Sequence, residues 1–228
     1  MRMKMKNKNT LLVGLLCILW SACSTTKNLP EGETLYTGID KLEVINEDKT
    51  LAGITALTEV EAALAYAPNN AIFGSSSLRW PIPFGLWVYN GFEKYQNKKG
   101  VGRWIFDHLG KSPVLMSSVN GETRAKVATN LLRDYGYFNG SVSFQEVPQK
   151  NPKESKVSYI INMAQPYFLD SIAYLKFPHY ADSLIQSTLS QSVLKGGENF
   201  SVLKLEEERQ RLSGLFRNHG YYYYRPEF

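Results

Sequence analysis

Cysteine is nearly absent from this chain. Its two thiols, Cys17 and Cys23, both fall within the first 23 residues, so the body of the protein cannot be held by a disulfide framework and depends on packing. Histidine is scarce too. His108, His179 and His219 stand far apart, with no HxxxH or Cys/His pair at metal-ligand spacing, and no metal site is expected. A surplus of charge is also missing once the N-terminus is set aside. The formal net charge is +5, but residues 23–228 hold 22 Lys/Arg against 21 Asp/Glu. The sequence pI of about 9.0 therefore belongs to the first residues, and it gives no support for a nucleic-acid partner.

Those first residues form a pattern of their own. Arg2, Lys4, Lys6 and Lys8 precede an apolar run from Leu11 to Trp20 that is too short to span a bilayer, and Ser21 and Ala22 lead to Cys23. This is the layout of a secretory signal over residues 1–22. A cysteine directly after such a site resembles the bacterial lipobox, in which the thiol is lipidated and becomes the mature N-terminus; Trp20 stands where that motif prefers Leu. The alternative is an ordinary cleaved signal with Cys23 incidental. Residues 23–34, rich in Ser, Thr, Lys, Asn, Pro and Gly, read as a solvated tether.

Structured sequence is expected from Leu35. Tyr36 to Ile45 alternates as a strand, and Thr58 is a candidate N-cap for a short helix from Glu59 to Ala67. The strongest helix follows Asn120 and runs to about Asp134, with Val127, Ala128, Leu131, Leu132 and Tyr135 on one face and Gly136 at its end. Two alternating strands come next, Ser141 to Val147 and Val157 to Ala164, around a loop from Pro148 to Ser155. A weaker copy then appears: a strand from Phe168 to Phe177, a helix from Tyr180 to Leu189, a longer helix capped by Ser201 that carries Leu205, Leu212, Leu215, Phe216 and His219 on one face, and a strand from Tyr221. Leu131 to Phe138 aligns without gaps on Leu215 to Tyr222 at an offset of 84, each an amphipathic helix ending in Gly and paired aromatics, which reads as an internal repeat.

A repeated strand-helix-helix-strand-strand unit whose helix ends in Gly-Tyr-Phe or Gly-Tyr-Tyr resembles the polypeptide-transport-associated (POTRA) domain of the BamA/TamA superfamily of outer-membrane assembly factors. The lipobox, Leu29 to Glu33, Leu35-Tyr36, Pro68-Asn69-Asn70, Phe73-Gly74 and Leu86 to Asn90 are similar to the lipid-anchored TamA-like subgroup of Bacteroidota. The resemblance implies an α+β fold of tandem β-α-α-β-β domains, each a three-stranded sheet with two helices on one face. The first would span 35–165 and the second 166–228, lacking its last strand. A further strand and a membrane β-barrel are expected in a longer gene product.

The same resemblance implies a non-enzymatic periplasmic arm that binds polypeptide by β-augmentation at the edge strand Ser141, Val142, Ser143, Phe144, Gln145, Glu146 and Val147. Its partners would be unfolded outer-membrane or exported polypeptides, an inner-membrane TamB-like protein and, through Cys23, outer-membrane lipid. Ser24 is not the Asp of inner-membrane retention, and Thr25 to Asn28 lack the acids of surface display, so the lipid-anchored protein would face the periplasm. A free-standing lipoprotein scaffold with no barrel is the main alternative, and an enzyme acting on the cell wall is a third.

The first unit departs from a plain POTRA pattern in an insertion from Pro68 to Lys111, which holds Trp80, Trp87 and Trp104 with six Phe and Tyr residues. Packing against the first sheet is favoured over an exposed docking surface. No catalytic or cofactor-binding residue emerges. Gly110-Lys111-Ser112 lacks the earlier glycine of a phosphate loop, since position 105 is Ile105. The SxxK matches at Ser192 and Ser201 have no SDN or KTG to follow them. Glu206-Glu207-Glu208 reads as a solvated helix face.

Overall fold

The computed structural model describes residues 25–175 and 177–225. The proposed signal segment and Cys23 lie outside them. The fold is α+β, with one three-stranded sheet in the order β1-β3-β2. Strand β1 is Leu35–Ile45, followed by α1 (Leu51–Leu64), α2 (Phe84–Phe92), α3 (Val101–Leu109), α4 (Met116–Val119) and α5 (Gly121–Asp134). The hairpin β2 (Ser141–Pro148) and β3 (Glu154–Asn162) comes next, then α6 (His179–Ser187) and α7 (Val202–Asn218).

Register follows from the pairings at both ends of β1. Leu35 N–H donates to Lys153 O at 2.8 Å, and Met163 N–H to Ile45 O at 3.1 Å, so β1 and β3 run parallel. The β2–β3 hairpin is closed by Gln149 N–H donating to Glu154 O at 2.9 Å. The central strand shows the two-residue period of a sheet packed on one face: Ser155, Val157, Tyr159 and Ile161 are buried and alternate with more exposed neighbours. The chain divides into two compact units, whose described residues are 25–41, 65–121 and 145–158 in one and 42–64, 122–144, 159–175 and 177–225 in the other.

In the second unit, α1 and α5 lie antiparallel. Arg124 near the start of α5 donates to Ala63 O near the end of α1 at 2.9 Å, placing a cation on the carbonyl end of that helix. Ala56, Val60 and Leu64 of α1 and Ala128 and Leu132 of α5 are buried. Helix α1 starts earlier than the Thr58 cap predicts. Thr50 N–H donates to Asp48 Oδ1 and Gly53 N–H to Thr50 Oγ1, so these two side chains satisfy the first-turn donors, while Thr58 sits inside the helix with its hydroxyl on Ile54 O.

The repeat expected from sequence is geometrically real at the helix ends. Tyr137 N–H donates to Leu132 O and Gly136 N–H to Arg133 O, both at 2.9 Å; Tyr221 N–H to Phe216 O and Gly220 N–H to Arg217 O repeat the pattern at 2.9 and 3.1 Å. Both glycines are left-handed, with φ 89° and 87°, which completes a Schellman cap on each helix. The buried positions correspond as well: Ala128 and Leu132 match Leu212 and Phe216.

Beyond the caps the copies diverge. Among the described residues, the strands expected at 168–177 and from Tyr221 do not form. Phe168 makes one isolated bridge to Asn199, and Tyr224 N–H turns back to Tyr221 O while its ring packs 4.0 Å from that of Phe216. Alternation in sequence makes a strand only where a neighbouring backbone completes a ladder, and two residues of pairing are too few. Ser201 does cap α7, accepting from Lys204 N–H at 3.4 Å. Glu208, expected on a solvated face, is instead fully buried, and His219, expected on the packed face, is exposed.

In the first unit, residues 25–33 differ from a solvated tether. Thr26 is buried, Asn90 Nδ2 donates to Thr25 O at 3.2 Å, and Thr25 Oγ1 donates to Glu154 Oε1 at 2.8 Å. These residues order through hydrogen bonds rather than apolar burial, which composition does not register. The insertion is partly core and partly surface. Leu86, Val88 and Phe106 are buried and Tyr89 lies 5.1 Å from Phe106, whereas Phe73, Trp80, Phe84 and Trp104 are exposed.

Candidate polypeptide-binding edge

The two edges of the sheet are finished differently. At β1, Tyr36 N–H donates to Val114 O and Met116 N–H to Thr34 O, so the segment 114–116 pairs along the start of the strand. Where β1 bends at Gly38, φ 118°, the Arg79 guanidinium donates to Thr37 O at 3.1 Å and Ile39 O at 3.4 Å. Strand β2 ends the sheet at the other side, and no strand among the described residues pairs beyond it.

All seven residues predicted for the edge lie on β2. Ser141, Ser143, Gln145 and Glu146 are exposed; Val142, Phe144 and Val147 are half-buried. Val142 N–H donates to Thr129 Oγ1 of α5 at 3.0 Å, so its amide lies outside the β2–β3 ladder. Strand alternation puts the Phe144 amide on that same outer side and the Ser143 amide toward β3. Pro148 closes the strand without an N–H, a device that limits pairing along an edge.

Behind the edge lies an open groove of about 330 Å³ between α5 and β2. Val142 and Phe144 supply one wall, and Ala125, Thr129, Asn130 and Arg133 line the helix side. Lys126 and Glu122, one turn apart on α5, form an ion pair of 2.7 Å at the rim, and the hydrogen bond from Lys126 holds the Glu122 carboxyl below its usual range. Phe144 stands 6.0 Å from Tyr159 of β3, whose hydroxyl is buried with no partner among the described residues and is pushed up by burial.

The chain matches no family model and no curated protein. The geometry of β2 therefore carries the functional argument. With the Val142 amide occupied and Pro148 lacking an N–H, the outward donors left on β2 are the Phe144 and Glu146 amides, and a mixed apolar and charged trough lies behind them, an edge to which an extended chain can add. Thr129 is the residue that sequence reading missed. Its single hydroxyl donates to Ala125 O at 2.9 Å and accepts from Val142, using both capacities of the group. A Thr within a helix gives no signal of a strand one connection later.

Proposed function

We propose that this chain is a POTRA-like, non-enzymatic periplasmic arm of the BamA/TamA type, anchored to the outer membrane through Cys23, which receives unfolded polypeptide by β-augmentation at β2. The observation that carries the reading is the asymmetry of the sheet: β1 is covered by 114–116 and Arg79, while β2 stands at the end of the strand order beside an open groove. A client strand added there would satisfy outward backbone groups irrespective of its own side chains, and the groove would take every second residue. The near balance of basic and acidic residues in 23–228 agrees with a polypeptide client rather than nucleic acid. No described helix is long and apolar enough to cross a membrane; in this reading a lipid on Cys23 tethers the arm.

The test is an amide-shift titration with an unfolded barrel-derived peptide of alternating pattern. Shifts are expected at Val142, Phe144 and Glu146 and along the α5 face of the groove. Shifts confined to 68–111 would overturn the β2 assignment.

A further inference from the structure

The insertion leaves in solvent a group of large apolar side chains that neither the sheet nor the β2 groove uses. Trp80 is 62 % exposed, Phe84 61 % and Trp104 56 %. Trp80, Ile82, Phe84 and Leu109 border one open cavity of about 530 Å³ together with His108 and Lys111. Trp104 stacks on His108 with ring centroids 4.9 Å apart, which joins both indoles to one surface. Three rings of roughly 150–250 Å² each, a little over half exposed, leave about 270–450 Å² of aromatic surface in solvent, a patch of the size that on a monomer is often functional.

Charge singles out the same segment. Residues 68–111 hold six Lys/Arg against two Asp/Glu, whereas the rest of 23–228 holds 16 against 19. Arg79 is committed to β1 carbonyls and Arg103 pairs with Asp107 at 3.2 Å. Lys94 and Lys98 stand over the Tyr95 ring at 5.2 and 5.4 Å, and Lys99 and Lys111 are exposed. Lys111 borders the cavity with Trp80 and Phe84, and Lys94, Lys98 and Lys99 add positive charge to the same segment; exposed rings in a basic segment suit a boundary that is apolar on one side and anionic on the other. The rings enter the headgroup and acyl border, and the lysine stems lie along it with their charges on phosphate.

We propose that this face of the insertion docks on the anionic surface of a glycerophospholipid bilayer. The inference rests on the outer-membrane reading for the presence of a bilayer and is independent of β2. Its effect would be to add a second, protein-borne attachment to the lipid on Cys23, since one weak membrane contact alone is reversible.

The test uses residues 23–228 with Cys23→Ser, so that no acyl chain contributes, and vesicles of phosphatidylethanolamine with phosphatidylglycerol or of phosphatidylcholine alone. Flotation with the phosphatidylglycerol vesicles is expected, weakened by salt, with indole emission quenched by brominated acyl chains. Trp80→Ala with Trp104→Ala should lower partitioning about tenfold or more. Lys98→Glu with Lys99→Glu, which spares the aromatic cluster, should also lower it and keeps the test valid if the first pair perturbs folding. Absence of flotation, or flotation unchanged in both double variants, overturns the proposal. So does an unfolded polypeptide that cross-links to Trp80 or Trp104 when vesicles do not bind. The β2 titration on the same protein reports the client reading separately.

Discussion

Glu208 is the most constrained charge in the described residues. Burial alone would raise its pKa, but it accepts from Arg211 at 2.6 and 2.9 Å, from Tyr174 Oη at 2.7 Å and from Val193 N–H at 3.2 Å, and together these hold the carboxyl below the ordinary value of 4.5. The Tyr174 hydroxyl in turn is pushed up by burial, although its bond to Ser192 works the other way. Because the folded pKa is the depressed one, this contribution is complete above the unfolded value and is lost as pH falls through the folded value. Glu208→Ala should cost about 3–5 kcal/mol, since Arg211 would be left without its counter-charge, and the variant should show a flatter stability curve on acidification. Urea unfolding across that range measures both. The two repeat glycines offer a second contrast. A Cβ at Gly136 would meet Phe200 O at 2.7 Å and Tyr167 O at 3.2 Å, while one at Gly220 would meet nothing within 4 Å. Gly220→Ala should cost about 1 kcal/mol from its positive φ alone, and Gly136→Ala clearly more, as read from the urea midpoints.

At the scale of elements, the contact between α5 and β2 sets how available the edge is. Thr129 occupies the Val142 amide, so Thr129→Ala should cost about 1 kcal/mol of stability while leaving client affinity equal or tighter, because the incoming strand regains a donor. Phe144→Pro should abolish client binding by removing an outward donor, whereas Phe144→Ala, which keeps the amide, should weaken it less. Calorimetric titration of the three variants separates backbone pairing from side-chain contact. At the base of the insertion, Asn69 Nδ2 donates to Ser112 O and Asn69 Oδ1 accepts from Val114 N–H, both at 2.7 Å. Asn69→Ala should loosen 112–116, seen as faster amide exchange at Val114, with a loss of about 1–3 kcal/mol.

For the whole molecule, the proposed attachment is a question of membrane partition. Two or more acyl chains anchor stably where one does not, so in the 228-residue chain Cys23→Ser should move most of the protein out of the outer-membrane pellet and abolish incorporation of labelled fatty acid. If the insertion contributes as inferred, the variant should still show weak, salt-sensitive association rather than complete release. Fractionation at low and high salt distinguishes the two outcomes.

Periodicity decided most of what was legible in advance. The sequence by itself determined β1, α5, the β2–β3 hairpin and the paired Gly caps, because each is written in spacing of apolar residues and in a backbone need that Gly136 and Gly220 alone satisfy. The resemblance to POTRA domains, rather than any spacing, marked β2 as the candidate edge, and the strand order puts β2 at the end of the sheet. Partners distant in sequence decided the rest. Glu208 is buried because Arg211, Tyr174 and Val193 converge on it, and Thr26 because 25–33 find acceptors and donors on Asn90 and Glu154. Tyr137 is fully buried with its hydroxyl 2.6 Å from Asp48, yet its counterpart Tyr221 stays exposed, and no local pattern separates two identical residues after identical caps. Burial and strand pairing belong to the whole set of neighbours a residue acquires, and that set is fixed only when the tertiary structure closes.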